Sequence, residues 1–319
     1  MSEVLQVRWN QINRTDWDIA HTNACASYQQ DWAYGDVLSH HGAKVWRASV
    51  ARSDDNTVIA LAQITSKPFA LVGQFALCTH GPIWLEDISI ADKHFVYRTL
   101  SKAVPVGWPK LLIFTPDEHE ADIKPVKSVK RVMTGEATVR INLEQDVETL
   151  RKSMDQKWRN RLTSAEKSGL KFVSGGTKPA QYRWLLDLEE TQREKRGYRA
   201  LPAALTLEWQ ESKSKCLQAG KNGGISVYRA DLGKECAGAM LVLEHGSMAT
   251  YHIGWTSEEG RKLGAHNLCL WNACLDLKAR GFKQFDLGGV NTQSGAGIAR
   301  FKIGTGGDVF QRGGAFVKA

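Results

Sequence analysis

The predicted secondary structure of this chain of 319 residues repeats. In each half, helices precede three short strand-like runs, which are followed by a helix and a closing buried strand. Turn residues separate the strand-like runs, as in Asp54-Asp55-Asn56 and Asp231-Leu232-Gly233. The repeated order predicts an α/β protein of two domains with mixed sheets, which the chain length also favours. We place these domains at residues 1–145 and 146–319.

The predicted elements of the two halves correspond one to one from the first strand onward. The first half is predicted to form helices at 15–27 and 32–40, strands at 44–51, 58–66 and 71–78, a helix at 89–103 and a strand at 110–114. The second is predicted to form helices at 147–168, 179–196 and 203–219, strands at 224–230, 235–243 and 248–254, a helix at 261–280 and a strand at 284–287. This order resembles the acyltransferase fold called GNAT, and we therefore expect two tandem GNAT-like domains.

The net charge of +8 is unevenly distributed along the chain. Residues 1–145 carry 15 Lys and Arg against 16 Asp and Glu, whereas residues 146–319 carry 27 against 18. The second half therefore holds all of the excess positive charge, which indicates a polyanionic partner such as a nucleic acid or a phosphate-rich ligand.

The cysteines and the hydropathy pattern favour a reducing cytoplasm. Six scattered cysteines form neither a CxxC motif nor a metal cluster, so we expect no metal site. The sequence has no apolar run of transmembrane length, and the first residues lack the pattern of a signal peptide.

A glycine-rich stretch near the C-terminus is the first candidate site. Seven glycines fall within residues 285–307, and Arg300 and Lys302 stand two positions apart between apolar neighbours. In an extended segment both cations would lie on one side, where they could bind an anion or a developing oxyanion. The alternative is a hairpin with two solvated basic residues.

Two basic segments of the second half are candidates for phosphate binding. Residues 151–171 hold seven Lys and Arg, and Lys157 and Arg161 could contact phosphates along a helix. A solvated helix face with i,i+4 ion pairs explains the same pattern. In the run 191–199, Arg199 lies beyond the predicted helix and is the cation best placed for a ligand phosphate.

Residues 258–266 follow a predicted strand and open a helix. GNAT enzymes that use acyl-CoA carry at this place a turn whose backbone N–H groups hold the pyrophosphate. Arg261 and Gly264 match that turn, while His266 replaces its last small residue. The match is partial, and the bulk of this histidine argues against the usual CoA pose.

Two further residues could take part in proton transfer. His252 lies on the third predicted strand of the second half, where it could act as a general base or be structural. Asp286 ends the closing strand. It could orient an attacking amine, accept its proton or pair with Arg300 or Lys302, and we favour the pairing role.

The C-terminal third resembles the FemAB/FemX family of aminoacyltransferases. The motifs that carry the resemblance are Phe285-Asp286-Leu287-Gly288-Gly289 and the run from Gly297 to Gly304, which contains Phe301-Lys302. The helix at 157–169, the segment Gln29-Gln30-Asp31-Trp32-Ala33 and the turn Gly81-Pro82-Ile83-Trp84 are also similar to family motifs. One position departs from the pattern, since Asp36 replaces a lysine that binds a diphosphate in some members.

The resemblance implies two GNAT domains that transfer an aminoacyl group from aminoacyl-tRNA to an amine, for which the family's usual acceptor is a peptidoglycan precursor. It assigns oxyanion stabilisation to Lys302. We expect Asp286 to be the second catalytic residue. Substrate contacts are expected from Arg300, Arg199, Trp32, Tyr34, Trp84, His252 and Trp255. Phosphates of the tRNA would meet Lys157, Arg161, Arg261 and Gly264.

Three hypotheses remain open from the sequence. The first is an aminoacyltransferase with charged tRNA as co-substrate, no bound cofactor, a small-molecule or peptide amine as acceptor and peripheral membrane contact as an option. The second is an acyl-CoA-dependent N-acyltransferase on the same frame. The third is a tRNA- or partner-binding module without transfer activity.

Overall fold

The structure is a computed structural model that describes residues 5–69, 73–108, 110–123, 129–176, 178–196, 203–215, 223–291 and 295–318. The chain forms two compact units. The first comprises Met1–Glu136 and Gln311–Ala319, and the second comprises Ala137–Phe310.

Side-chain caps start the helices of the first unit. Asn13, Asp31 and Ser89 each accept a hydrogen bond from a backbone N–H in the first helical turn. The elements of this part of the chain are β1 (Leu5–Trp9), α1 (Arg14–Asn23), α2 (Trp32–His40), β2 (Lys44–Arg52), β3 (Val58–Phe69), β4 (Gly73–Thr79), β5 (Ile83–Trp84), α3 (Ile90–Ala103), β6 (Leu111–Thr115) and β7 (Val129–Met133).

The second unit repeats the meander and adds helices. Its elements are β8 (Ala137–Asn142), α4 (Val147–Ser153), α5 (Gln156–Glu166), β9 (Lys171–Gly175), α6 (Pro179–Arg196), α7 (Ala203–Ser214), β10 (Gly224–Leu232), β11 (Glu235–His245), β12 (Met248–Thr256), α8 (Glu258–Leu263), α9 (Ala265–Ala279), β13 (Gln284–Gly289), α10 (Ala296–Ile303) and β14 (Asp308–Gln311). The chain ends in β15 (Ala315–Lys318).

Each unit is built on one mixed sheet. The first sheet runs β1-β2-β3-β4-β6-β15-β7, with β5 beside β3, and the second runs β14-β8-β13-β12-β11-β10-β9. In both, three antiparallel strands precede a helical crossover to a parallel strand, β4 to β6 and β12 to β13. The expected tandem arrangement of mixed α/β sheets is confirmed.

Apolar side chains of the sheets and of the crossover helices form a core in each unit. The first core includes Ala60, Val96, Leu100, Leu112 and Phe114. The second includes Val139, Leu162, Met240, Leu270 and Phe285. The five cysteines in the described part of the chain are free thiols, and no described helix is long and apolar enough to span a bilayer.

The unit boundaries differ from the predicted domains 1–145 and 146–319. Strand β8 precedes residue 145, yet it pairs with β13 in the second sheet. Strand β15 follows the second unit in the chain, yet it pairs with β6 and β7 in the first sheet. Each of these two strands belongs to the unit whose strands it pairs with. The linear pattern of hydrophobicity does not show which strands will pair.

Two predicted helices are each broken in two. The segment predicted as one helix at 147–168 forms α4 and α5, which are separated at Met154 and Asp155. The segment 261–280 divides at Gly264, which adopts a left-handed conformation with φ +77° and ends α8 directly before α9. A residue with positive φ cannot continue a right-handed helix.

Candidate active site in the second unit

The parallel ladder of the second sheet is short at the point where the candidate site lies. Strands β12 and β13 pair at three positions, ending at Thr250 opposite Asp286. The equivalent strands of the first unit, β4 and β6, pair at five positions through Thr79 opposite Thr115. Beyond Asp286 the backbone turns at Gly288, whose φ is +74°. The end of β13 is therefore a local turn and does not continue the ladder with β12.

Lys302 lies at this turn. Helix α10 places it among buried residues, with 9% of its surface exposed. Its Nζ donates to the carbonyl oxygen of Gly289 at 2.9 Å and lies 5.7 Å from the centre of the Tyr251 ring. A Cβ atom at Gly288 would be 3.6 Å from the same Nζ. An ammonium group is thus held against a glycine turn, where it can stabilise negative charge on a nearby oxygen.

The prediction that Arg300 and Lys302 share one side of an extended segment is wrong. Residues 296–303 form α10, and two residues separated by two positions on a helix point in nearly opposite directions. Lys302 is buried together with Ala299, three positions earlier, whereas Arg300 is exposed. The structure therefore does not bring the two cations together on one face.

Asp286 supports the turn that carries the Gly289 carbonyl. Its carboxylate accepts hydrogen bonds from the Thr138 hydroxyl and from the Gly288 N–H, the latter at 2.7 Å. The sequence favoured an ion pair with Arg300 or Lys302, and the structure supplies a different partner, Arg140 Nε at 3.6 Å. These contacts describe a residue that positions the turn, and Arg140 on β8 could not be found from the local motif.

Tyr251 and His266 form the wall beside Lys302. The Tyr251 hydroxyl and His266 Nε2 are 3.1 Å apart, and the His266 ring lies 5.2 Å from the ring of Phe301. Burial lowers the pKa of His266 to about 4 and raises that of Tyr251. Both side chains are therefore neutral at pH 7. They also occupy the space beside Gly254, where a Cβ would collide with each of them.

His252 lies further along β12 and is a weak base. Its Nε2 is 2.8 Å from the hydroxyl of Thr206 on α7, and burial lowers its pKa to about 4. Trp255 packs edge-on against Trp184 of α6, with ring centres 6.3 Å apart. These contacts are structural, so the assignment of His252 and Trp255 to substrate binding stays a prediction.

The four residues predicted to bind phosphates come together where α5 meets α8. Arg161 donates to the backbone carbonyl of Arg261, and a Cβ at Gly264 would be 3.2 Å from Arg161 Cγ. Lys157 lies one helical turn before Arg161, and the side chains of Lys157, Arg161 and Arg261 are exposed. We refer to Lys157, Arg161 and Arg261 as the α5–α8 cation cluster.

The predicted ligands of the first unit take part in compact polar networks. Arg47 stacks on Trp32 at 3.6 Å and donates to Asp36, which also pairs with Arg14. The carboxylate of Asp36 is therefore matched by two cations.

The two other aromatic residues of the first unit that were predicted to contact substrate, Tyr34 and Trp84, also pack within the protein. Tyr34 packs edge-on against Tyr28. The Trp84 indole donates to Glu118 at 2.9 Å. These contacts account for both side chains as parts of the fold, and substrate binding by them stays a prediction.

Arg199, the remaining predicted ligand, lies outside the described residues. In the described ranges, no group of three or more His, Cys, Asp or Glu side chains is arranged to hold a metal ion. Sequence reasoning missed Thr138, Arg140, Tyr251 and Trp158. Their signal is spatial, since they reach the turn or α10 from three other elements, β8, β12 and α5.

Comparison with known proteins gives one family and a set of shared folds. The model for the acetyltransferase (GNAT) domain matches residues 135–307, more than half of the chain. No significant match was found among curated protein sequences.

Among solved structures, the crystal structure of FemX covers 97% of this chain and 96% of its own at 12% identity, with a TM-score of 0.78. A conserved protein of unknown function from Bacteroides thetaiotaomicron covers 98% and 99% at 10% identity, with a TM-score of 0.60. The C-terminal domain of a lysylphosphatidylglycerol synthetase from Agrobacterium fabrum covers 96% and 92% at 12% identity, with a TM-score of 0.52.

These structural similarities concern the fold, and the FemX-type fold expected from the sequence is confirmed. The matched GNAT segment includes the Lys302 turn and the α5–α8 cation cluster. The chain therefore belongs to the acetyltransferase (GNAT) domain family and is an acyltransferase.

Proposed function

We propose that the chain transfers an aminoacyl group from aminoacyl-tRNA to the amine of a small molecule or peptide, such as a peptidoglycan precursor. The observation that carries the proposal is the buried ammonium of Lys302, held at the Gly289 carbonyl beside Tyr251. It coincides with the motif lysine of a family whose fold the chain shares.

The proposed reaction is aminolysis of an ester. The amine nitrogen forms a bond to the carbonyl carbon, and the carbonyl oxygen becomes negative in the tetrahedral intermediate. The ammonium of Lys302 stabilises that charge. The C–O bond to the tRNA ribose then breaks, the amine proton passes through water or substrate groups, and the ribose oxygen is finally protonated. No covalent enzyme intermediate is required.

The α5–α8 cation cluster supports a polyanionic donor. In the described part of the chain, none of its three exposed side chains makes an ion pair with a carboxylate, so their charges are available to phosphates. By contrast, Arg151 in the same segment forms a two-point ion pair with Glu166, at 2.8 and 2.7 Å.

An acyl-CoA-dependent transfer is the second candidate. The left-handed Gly264 directly before α9 is the feature that favours it, since a helix start can hold a pyrophosphate. Two observations favour tRNA instead. The Arg161 side chain packs on this turn, and the Tyr251–His266 pair fills the space beside Gly254 on β12.

A donor screen tests the proposal. The protein is incubated with a mixture of amines and either charged tRNA or acyl-CoA, and modified amines are detected by mass spectrometry. We expect products with charged tRNA alone. Products and thermal stabilisation with acyl-CoA would instead establish the second candidate. Tight tRNA binding without transfer from either donor would indicate a binding module.

The salt dependence of tRNA binding tests the α5–α8 cation cluster separately. Arg161→Gln should weaken binding and reduce the slope of log K against log salt by about 0.7–0.9. Lys234→Gln removes an exposed charge from the β10–β11 turn and is the matched control. Equal slopes for the two variants would exclude the cluster from the binding surface.

A further inference from the structure

The last turn of α10 depends on a residue from outside the helix. The final four carbonyls of an α-helix have no partner within it. Three carbonyls here are bonded by the residues that follow: Gly304 N to Arg300 O, Thr305 N to Lys302 O and Gly306 N to Ile303 O. The remaining carbonyl, that of Phe301, accepts a hydrogen bond from the Trp158 indole Nε1 at 3.1 Å.

Trp158 also packs against one residue before Lys302 and one residue after it. Its ring centre lies 5.8 Å from that of Phe301, and a Cβ at Gly304 would be 3.0 Å from its Cδ1. The residue is buried, with 6% of its surface exposed. The neighbouring Asp155 N–H donates to Gly304 O at 3.0 Å. The start of α5 therefore binds two backbone carbonyls that flank the lysine, those of Phe301 and Gly304.

We propose that Trp158 is a positioning residue that sets the place of the Lys302 ammonium. Lysine has a long flexible side chain, and its reach to the Gly289 carbonyl depends on where the last turn of α10 holds its Cα. The indole N–H fixes the carbonyl directly preceding that Cα. The catalytic part of this inference rests on the proposed function, and its geometric part does not.

The position of Trp158 links two parts of the site. Helix α5 carries Lys157 and Arg161 on its exposed side and Trp158 on its buried side. The helix that would contact donor phosphates thus also carries Trp158, which anchors α10 and with it Lys302. Because one rigid helix bears both the phosphate-binding side chains and this anchor, the error in the spacing between the donor and the ammonium group is limited.

Chemical labelling tests the geometric part without any substrate. Lysines of wild type, Trp158→Phe and Trp271→Phe are acylated with trace amounts of an amine-reactive reagent at one pH, and the rate at Lys302 is measured by peptide mass spectrometry. Trp158→Phe keeps a ring but removes the donor. Trp271 is similarly buried in the same core, with its ring facing Arg151, and is the matched control.

We expect Lys302 labelling to rise several-fold in Trp158→Phe, because an unpaired carbonyl loosens the last turn, and to stay at the wild-type rate in Trp271→Phe. Equal rates in all three proteins would overturn the positioning role. A matching rise in both variants would overturn it as well, since it would report general loosening of the core.

Kinetics test the catalytic part once a donor has been found. Trp158→Phe should lower kcat about tenfold and leave the KM for the donor unchanged, a loss of about 1.4 kcal/mol in transition-state stabilisation. In the Lys302→Ala background the same substitution should have no further effect. Additive effects would show that Trp158 does not act through Lys302. Absence of transfer from both donors, with altered labelling, would overturn the proposed function and leave the positioning role intact.

Discussion

Arg300 and Lys302 are both cationic and only two positions apart, yet their side chains differ in solvent exposure. The alternation of apolar residues at 299, 301 and 303 imitates a strand, and the helix that forms instead buries Lys302 and exposes Arg300. The motif was enough to select Lys302 as the candidate oxyanion-stabilising lysine, and that role stays a prediction. Its surroundings came from β8, β12 and α5, which the motif does not contain.

Replacing Lys302 tests its charge directly. Lys302→Ala should lower the rate of aminoacyl transfer about 100- to 1,000-fold in single-turnover experiments, because a donor to the oxyanion is lost. Lys234→Ala, which removes an exposed charge from the β10–β11 turn, should leave that rate nearly unchanged. Similar losses in the two variants would contradict the assignment.

The half-buried His252 should make stability fall in acid. Its folded pKa is about 4, below the ordinary value of 6.5, so the unfolded state binds more protons between these values. The stability is fully present above pH 6.5 and is lost as pH falls toward 4. His252→Gln should reduce this acid loss by about 2 kcal/mol in urea unfolding at pH 7 and pH 4.5. An unchanged pH dependence would show that His252 is accessible to protons in the folded state.

At the scale of elements, the predicted helix 261–280 is interrupted at Gly264, where α5, α8 and α9 meet. The pattern of residues 261–280 continues through Gly264, and helical periodicity alone does not reveal a break there. The break coincides with close packing, since a Cβ at Gly264 would lie 3.2 Å from Arg161 Cγ and from the Arg161 carbonyl oxygen on α5. The junction can therefore be tested by adding one methyl group.

Gly264→Ala should destabilise the protein by about 2–4 kcal/mol, because it combines a left-handed backbone with contacts of 3.2 Å to Arg161 Cγ and its carbonyl oxygen. The control is Gly169→Ala, which has the same backbone strain at φ +78° but no atom within 4 Å. It should cost only about 1–2 kcal/mol. Urea unfolding measures both values, and equal costs would mean that Arg161 moves away freely.

At the scale of the whole molecule, the repeated order of strands and helices was sufficient to predict two GNAT-like units. The two closing strands, β6 and β13, pair in parallel with β4 and β12 respectively. The return of β15 to the first sheet was not visible, since four residues with ordinary β propensity do not specify which sheet they join.

Removal of β15 tests this return. A chain that ends at Gly314 lacks the strand between β6 and β7, and with it the buried Ala315 and Phe316. Limited proteolysis should then cut within residues 1–136 and spare residues 137–310. A chain that ends at Val317 loses the exposed Lys318 and Ala319, which lies outside the described residues. It should resist proteolysis as well as the full chain does. Protection of both units in the shorter chain would show that β15 is dispensable.

The late position of β15 has a consequence for biosynthesis. A ribosome that adds about 5–20 residues per second completes residues 1–136 well before it reaches residue 318. For many seconds the nascent first unit presents β6 and β7 without the strand that joins them, and such open edges invite pairing with other chains. Chaperone capture during translation should therefore concentrate on the portion of the polypeptide that is made first.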